Sequence, residues 1–173
     1  MRTGMEHAAE PPAPRTLLDR IADAAIAVAA AALGGLVVVQ GWQVVARYVL
    51  NASPSWTEPV TLLLLSTAMS LGAAAGVHTR RHFSFNLMAE AMRPGARRLA
   101  EAVSVLVIVA IGATLAGWSA VLLVDGFGVR AAGAPLPQSI NYLPLGLGGA
   151  LMAVFALARV PALLAPVEAG EGV

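Results

Sequence analysis

The sequence predicts an all-α integral membrane protein: four transmembrane helices, with a short cytoplasmic interfacial helix between the second and the third. Three observations carry this. Four apolar stretches, residues 24–45, 59–77, 102–124 and 140–158, each come close to the roughly 20 residues that a helix needs to cross a hydrocarbon core of about 30 Å. No Asp, Glu, Lys or Arg falls inside any of them, whereas a helix on the surface of a water-soluble bundle carries charge along its outer face. The composition agrees, at 58% hydrophobic and 12% charged residues with a mean hydropathy of +0.75.

The chain of 173 residues divides into a flexible cytoplasmic tail over 1–16, a four-helix transmembrane domain over 17–165 and a cytoplasmic C-terminal tail over 166–173. Pro11, Pro12 and Pro14 mark the first tail. The run that begins at Ala24 is longer than a signal-peptide core and is read as a retained span. All 11 basic residues are arginine. Arg2, Arg15 and Arg20 precede the first span, Arg80, Arg81, Arg93, Arg97 and Arg98 lie between the second and third, and Arg159 closes the fourth. Only Arg47 and Arg130 fall on the other side, so the positive-inside bias places both termini and the middle loop in the cytoplasm. The absence of cysteine excludes disulfides, thiolate nucleophiles and thiol redox relays.

The first span opens at Asp19, Arg20 and Asp23, charges suited to the headgroup region, and ends at Trp42 and Tyr48, aromatic residues of the kind that anchor helices at the interface. Gln40 is the strongest polar group deep within it, and a helix–helix hydrogen bond is its expected role. A turn over 51–55 follows, broken by Pro54. Ser55 and Glu58 have the spacing of a capping box at the start of the second span, although Pro59 also admits a start at Thr57. Gly72 and Gly76 bracket three alanines and form a small-residue face open to close helix approach.

Residues 83–92 interleave Phe83, Phe85, Leu87, Met88 and Met92 with polar side chains, which predicts the interfacial helix, ended at Pro94 and Gly95. The third span carries only Ser104, Thr114 and Ser119 as mild polar residues, with Trp118 near its outer end. An irregular Gly/Pro-rich loop over 125–138 leads to the fourth span, where Pro144, Gly146, Gly148 and Gly149 predict a kink.

Catalytic candidates are scarce. No ionisable group stands at mid-depth, where a proton relay or ion path would need one. His78 and His82 have an i, i+4 spacing open to a shared metal, but Arg80 and Arg81 lie between them without a further ligand, so neither a metal nor another cofactor is expected. Arg47 and Glu58 flank the same external turn, and an ion pair closing that hairpin is the expected arrangement. The basic cluster over 93–98 suits anionic membrane lipids and, pressed against a bilayer, not nucleic acid.

The run from Arg47 and Tyr48 through Asn51, Ser53, Pro54 and Ser55 to Trp56, Thr57 and Glu58 resembles the small permease subunit of TRAP transporters, the tripartite ATP-independent periplasmic carriers. Gly72, Ala74, Val77 and His82 follow at spacings similar to that family's, and the likeness covers roughly residues 17–165. Pro59 stands where the family often has a second glutamate, and Asn86 where it has an acidic residue after the histidine. The resemblance implies a non-catalytic scaffold in a bacterial inner membrane. Its partners would be a large permease subunit, which moves an organic acid with sodium, and a periplasmic substrate-binding protein. It also marks Arg47, Tyr48, Trp56, Glu58, Gly72, Gly76 and His82 as structural or interface residues. Two other readings are a small enzyme acting on lipids through His78 and His82, and a self-assembling channel; the first lacks an acid or nucleophile beyond Ser84, and the second lacks a polar stripe.

Overall fold

A computed structural model describes residues 15–52, 54–79, 94–133 and 137–161. The expected interfacial helix over 83–92, together with His82 and most of both tails, lies outside the described residues. Helix α1 runs Leu17–Tyr48, α2 Thr57–Thr79, α3 Pro94–Asp125 and α4 Tyr142–Leu157, the last entered through a 3-10 turn, Gln138–Asn141. All four are long and apolar enough to cross a membrane, α4 together with its 3-10 turn. In hydrocarbon every backbone amide needs a partner within its own segment, and a helix supplies one.

At about 1.5 Å per residue, the 32 residues of α1 and of α3 exceed what the bilayer core requires. The excess is polar. In α1 it is the first two turns, where Thr16 caps the helix in a reciprocal box with Asp19: the Asp19 amide donates to Thr16 Oγ1 at 3.3 Å and the Thr16 amide to Asp19 Oδ2 at 2.8 Å. In α3 it is the turn where Arg97 pairs with Glu101 at 3.1 Å.

Extensive packing follows the order α1–α2–α4–α3, a row rather than a closed ring. Consecutive helices make two antiparallel hairpins, and α2 and α4, which run parallel, join them. Ala22, Ala25, Ala29 and Ala32 recur at i, i+3 and i+4 on α1 and are buried, so a smooth stripe of methyl groups lies at its contact with α2. Leu64 of α2 fills the notch at Gly35, its methyl carbons 3.5 Å from where a Cβ would stand.

The glycines of α4 bring it close to its neighbours. Pro144 is in the first turn of α4, where proline is tolerated. Gly148 lies against Ser70 of α2, and Gly149 against Gly112 of α3. Successive residues on a helix point about 100° apart, so two adjacent glycines let α4 approach both of its neighbours at once. Ser66 and Ser70 add hydroxyl donors across the same contact, to the carbonyls of Asn141 at 3.2 Å and Pro144 at 2.8 Å.

Candidate interaction surface

The turn between α1 and α2 is closed by backbone. Asn51 adopts a left-handed φ of 50°, a conformation asparagine tolerates better than most residues, and the Ala52 amide donates to the Ala46 carbonyl at 3.0 Å. Thr57, wholly buried, donates its hydroxyl to the Pro54 carbonyl at 2.8 Å, and α2 starts there. The expected capping box is not formed. The Ser55 hydroxyl instead donates to the Gly133 carbonyl at 3.1 Å, tying this turn to the α3–α4 loop. Gly133 has φ +85°, and a Cβ there would stand 2.6 Å from Ser55 atoms, so only glycine fits. The loop itself is pinned by the Gln138 amide donating to the Val129 carbonyl at 2.8 Å.

The expected Arg47–Glu58 ion pair is likewise absent among the described residues; both side chains are exposed. The reason lies in the helix faces. Ala46, next to Arg47, is buried toward the protein, as are Thr57 and Pro59 on either side of Glu58, and these neighbours turn both charges outward. Arg47→Ala and Glu58→Ala are therefore expected to act additively on stability, within about 0.5 kcal/mol, when the two single variants and the double variant are melted in detergent.

Glu58 heads a stripe. With Leu62, Leu65, Met69, Gly72 and Gly76 it recurs at i+3 and i+4, on one side of α2. Leu62 and Met69 are half exposed or more, and nothing lies within 4 Å of a Cβ at Gly72 or Gly76. This is unusual for α2, an inner helix of the row with α1 on one flank and α4 on the other. A second stripe, Ile26, Leu33, Val37, Gln40, Val44 and Arg47, runs along exposed positions of α1, with Tyr48 beside its C-terminal end. The motif residues Arg47, Tyr48 and Glu58 thus stand where two open helix faces meet the α1–α2 turn. Trp56, 41% exposed, lies between them in the chain.

The opposite end of the molecule holds a junction that the residue pattern did not announce. His78, in the last turn of α2, places Nε2 2.6 Å from Asp19 Oδ1 of α1 and its ring 4.9 Å from that of Phe155 on α4. Phe155 is buried with Ala22 and Ala74, so three helices meet on one ring. The Arg159 guanidinium donates to the Val77 carbonyl, one of those left without an intrahelical partner where α2 ends. His78 was legible as a possible metal ligand with His82, but its observed partner is a carboxylate on the neighbouring span. The available signal was positional: Asp19 opens one span and His78 closes the next, so an antiparallel hairpin brings them to the same level.

Residues 36–165 match the family model described as "Tripartite ATP-independent periplasmic transporters, DctQ component". No curated protein matches the chain.

Proposed function

The chain belongs to the DctQ component family of tripartite ATP-independent periplasmic transporters, and from that membership we propose that it is the small, non-catalytic subunit that braces a large permease subunit during sodium-driven uptake of an organic acid. The observation that carries this reading is the open row of helices within a matched transporter component. Each span leaves most of its surface uncovered: between 11% and 28% of the residues in the four apolar windows are buried. A chain with its own transport path would bury a polar seam between helices; this one buries alanine, glycine and serine and turns apolar stripes outward.

In this reading the chain spans a bacterial inner membrane with both termini in the cytoplasm, as the arginine distribution favours. The Arg47–Glu58 turn then faces the periplasm, on the side where a substrate-binding protein docks. In this reading the substrate is selected by those partners.

The test is a tagged pull-down from native membranes in mild detergent, with partners identified by mass spectrometry. One much larger polytopic protein in equimolar amount is the expected result. A folded chain recovered alone would refute the scaffold role.

A further inference from the structure

We infer that the outward face of α1 around Gln40 and Arg47 is the surface that seats a transmembrane helix of the large permease subunit, with Gln40 supplying a hydrogen bond inside the membrane. The inference rests on the subunit reading above and adds which face makes the contact.

Gln40 is exposed, and among the described residues its amide has no hydrogen-bond partner. It stands five residues inside the outer end of the apolar stretch 24–45, below Trp42 and Tyr48. A primary amide carries two donors and an acceptor, and lipid tails satisfy none of them. Snorkelling gives little relief, because helical side chains lean toward the helix N-terminus, here toward the bilayer centre and away from the nearer interface. The neighbouring helices of this chain do not supply the partner either. In the proposed contact that partner is a polar group at the same depth on another protein.

Arg47 narrows the choice. It lies seven residues on, two helical turns above Gln40 on the same face, and is exposed with no ion pair among the described residues. A complementary helix carries a hydrogen-bonding side chain opposite Gln40 and a carboxylate near the outer boundary opposite Arg47. Val44 between them and Val37 one turn beyond Gln40, 55% and 72% exposed, offer an apolar surface to pack against. α1 is also suited by position: at the end of the row it has an extensive contact with α2 alone, so a foreign helix extends the row without displacing anything.

The experiment places a photo-crosslinking residue, p-benzoylphenylalanine, singly at Val37, at Val44 and, for comparison, at Leu147 on an exposed position of α4, in the complete transporter in its native membrane. Crosslinks to the large subunit from Val37 and Val44 but not from Leu147 are expected. Gln40→Leu is expected to lower recovery of the large subunit in the tagged pull-down about three- to tenfold, with the melting temperature of the isolated chain unchanged. Crosslinks from Leu147 alone, with Gln40→Leu recovering as wild type, would overturn the inference and leave the subunit reading standing. Crosslinks between two copies of this chain from Val37 and Val44 would overturn it in favour of self-association. A wild-type chain that recovers no larger protein would overturn both.

Discussion

Gly148→Ala is expected to prise α2 away from α4 and cost about 1–3 kcal/mol, although it adds a single methyl group and raises helix propensity. The added Cβ would stand 2.5 Å from Ser70 Cβ, 2.7 Å from the Ser70 carbonyl carbon and 2.8 Å from its oxygen. Two of those atoms are backbone and have no rotamer to escape into, so the whole of α2 must shift. The shift also loosens the bond from the Ser70 hydroxyl to the Pro144 carbonyl, since that bond spans the same contact. Gly149→Ala meets the Gly112 carbonyl at 2.8 Å and the Ala116 amide at 2.9 Å, and is expected to act likewise on α3. Gly72→Ala and Gly76→Ala are the matched controls. With nothing within 4 Å of either Cβ, the isolated chain should gain up to about 1 kcal/mol from propensity. Thermal melts of the four variants in detergent decide the matter. If Gly148→Ala melts with the wild type, the α2–α4 crossing is not as close as described.

The same glycines show where the sequence is legible and where it is not. The four spans are plain because the bilayer imposes a length and a polarity that can be counted along the chain. The start of α2 at Thr57 and the irregular 125–138 loop follow from proline and glycine chemistry that acts over a few residues. Helix pairing has no such local sign. Gly72 and Gly76 have the spacing of a helix-contact motif, yet they face away from the chain's other helices, while Gly148 and Gly149, adjacent and without that spacing, make the contacts. Glycine and alanine are so common here that small residues alone do not discriminate between an internal face and an external one. Gln40 shows the same limit. Its amide calls for a partner, but only the arrangement of the neighbouring helices shows that the partner is not within the described residues. Arg47 and Glu58 were legible as residues of interest from the resemblance around the turn, whereas their mutual distance depends on side-chain direction, which buried Ala46, Thr57 and Pro59 decide. The Asp19–His78 contact joins residues 59 positions apart and has no periodicity to betray it.

Phe155→Ala is expected to be the most damaging single truncation in the described core, at about 3 kcal/mol. Phe155 is 1% exposed and is the largest fully buried side chain among the described residues. In water such a change costs about 3–5 kcal/mol, part of it the lost transfer of the ring from solvent. A span in lipid forfeits most of that transfer contribution, because hydrocarbon solvates the ring as well as the protein does. What remains is the cavity, and here it is hard to close. Ala22 and Ala74 have no side-chain torsion to swing inward; Met152, the most flexible of the neighbours, and the leucines Leu18 and Leu151 can fill only part of the space.

The location makes the loss specific. α1 and α3 have no extensive contact with each other, and α1 is joined to α4 chiefly through this ring and its cluster. Removing the ring also takes away the surface against which His78 stacks while it holds Asp19, so the capped first turn of α1 loses its attachment to α4 and its tether to α2 is loosened. Hydrogen exchange should therefore quicken in the first two turns of α1 and the last turn of α2, with little change around Gly112 and Gly149. Phe155→Leu, which keeps much of the volume, should cost about half as much or less. Uniform quickening along all four helices would mean that the ring supports the whole row rather than one junction. Protection unchanged at Asp19 would show that the capping box and the Ala stripe hold α1 without it.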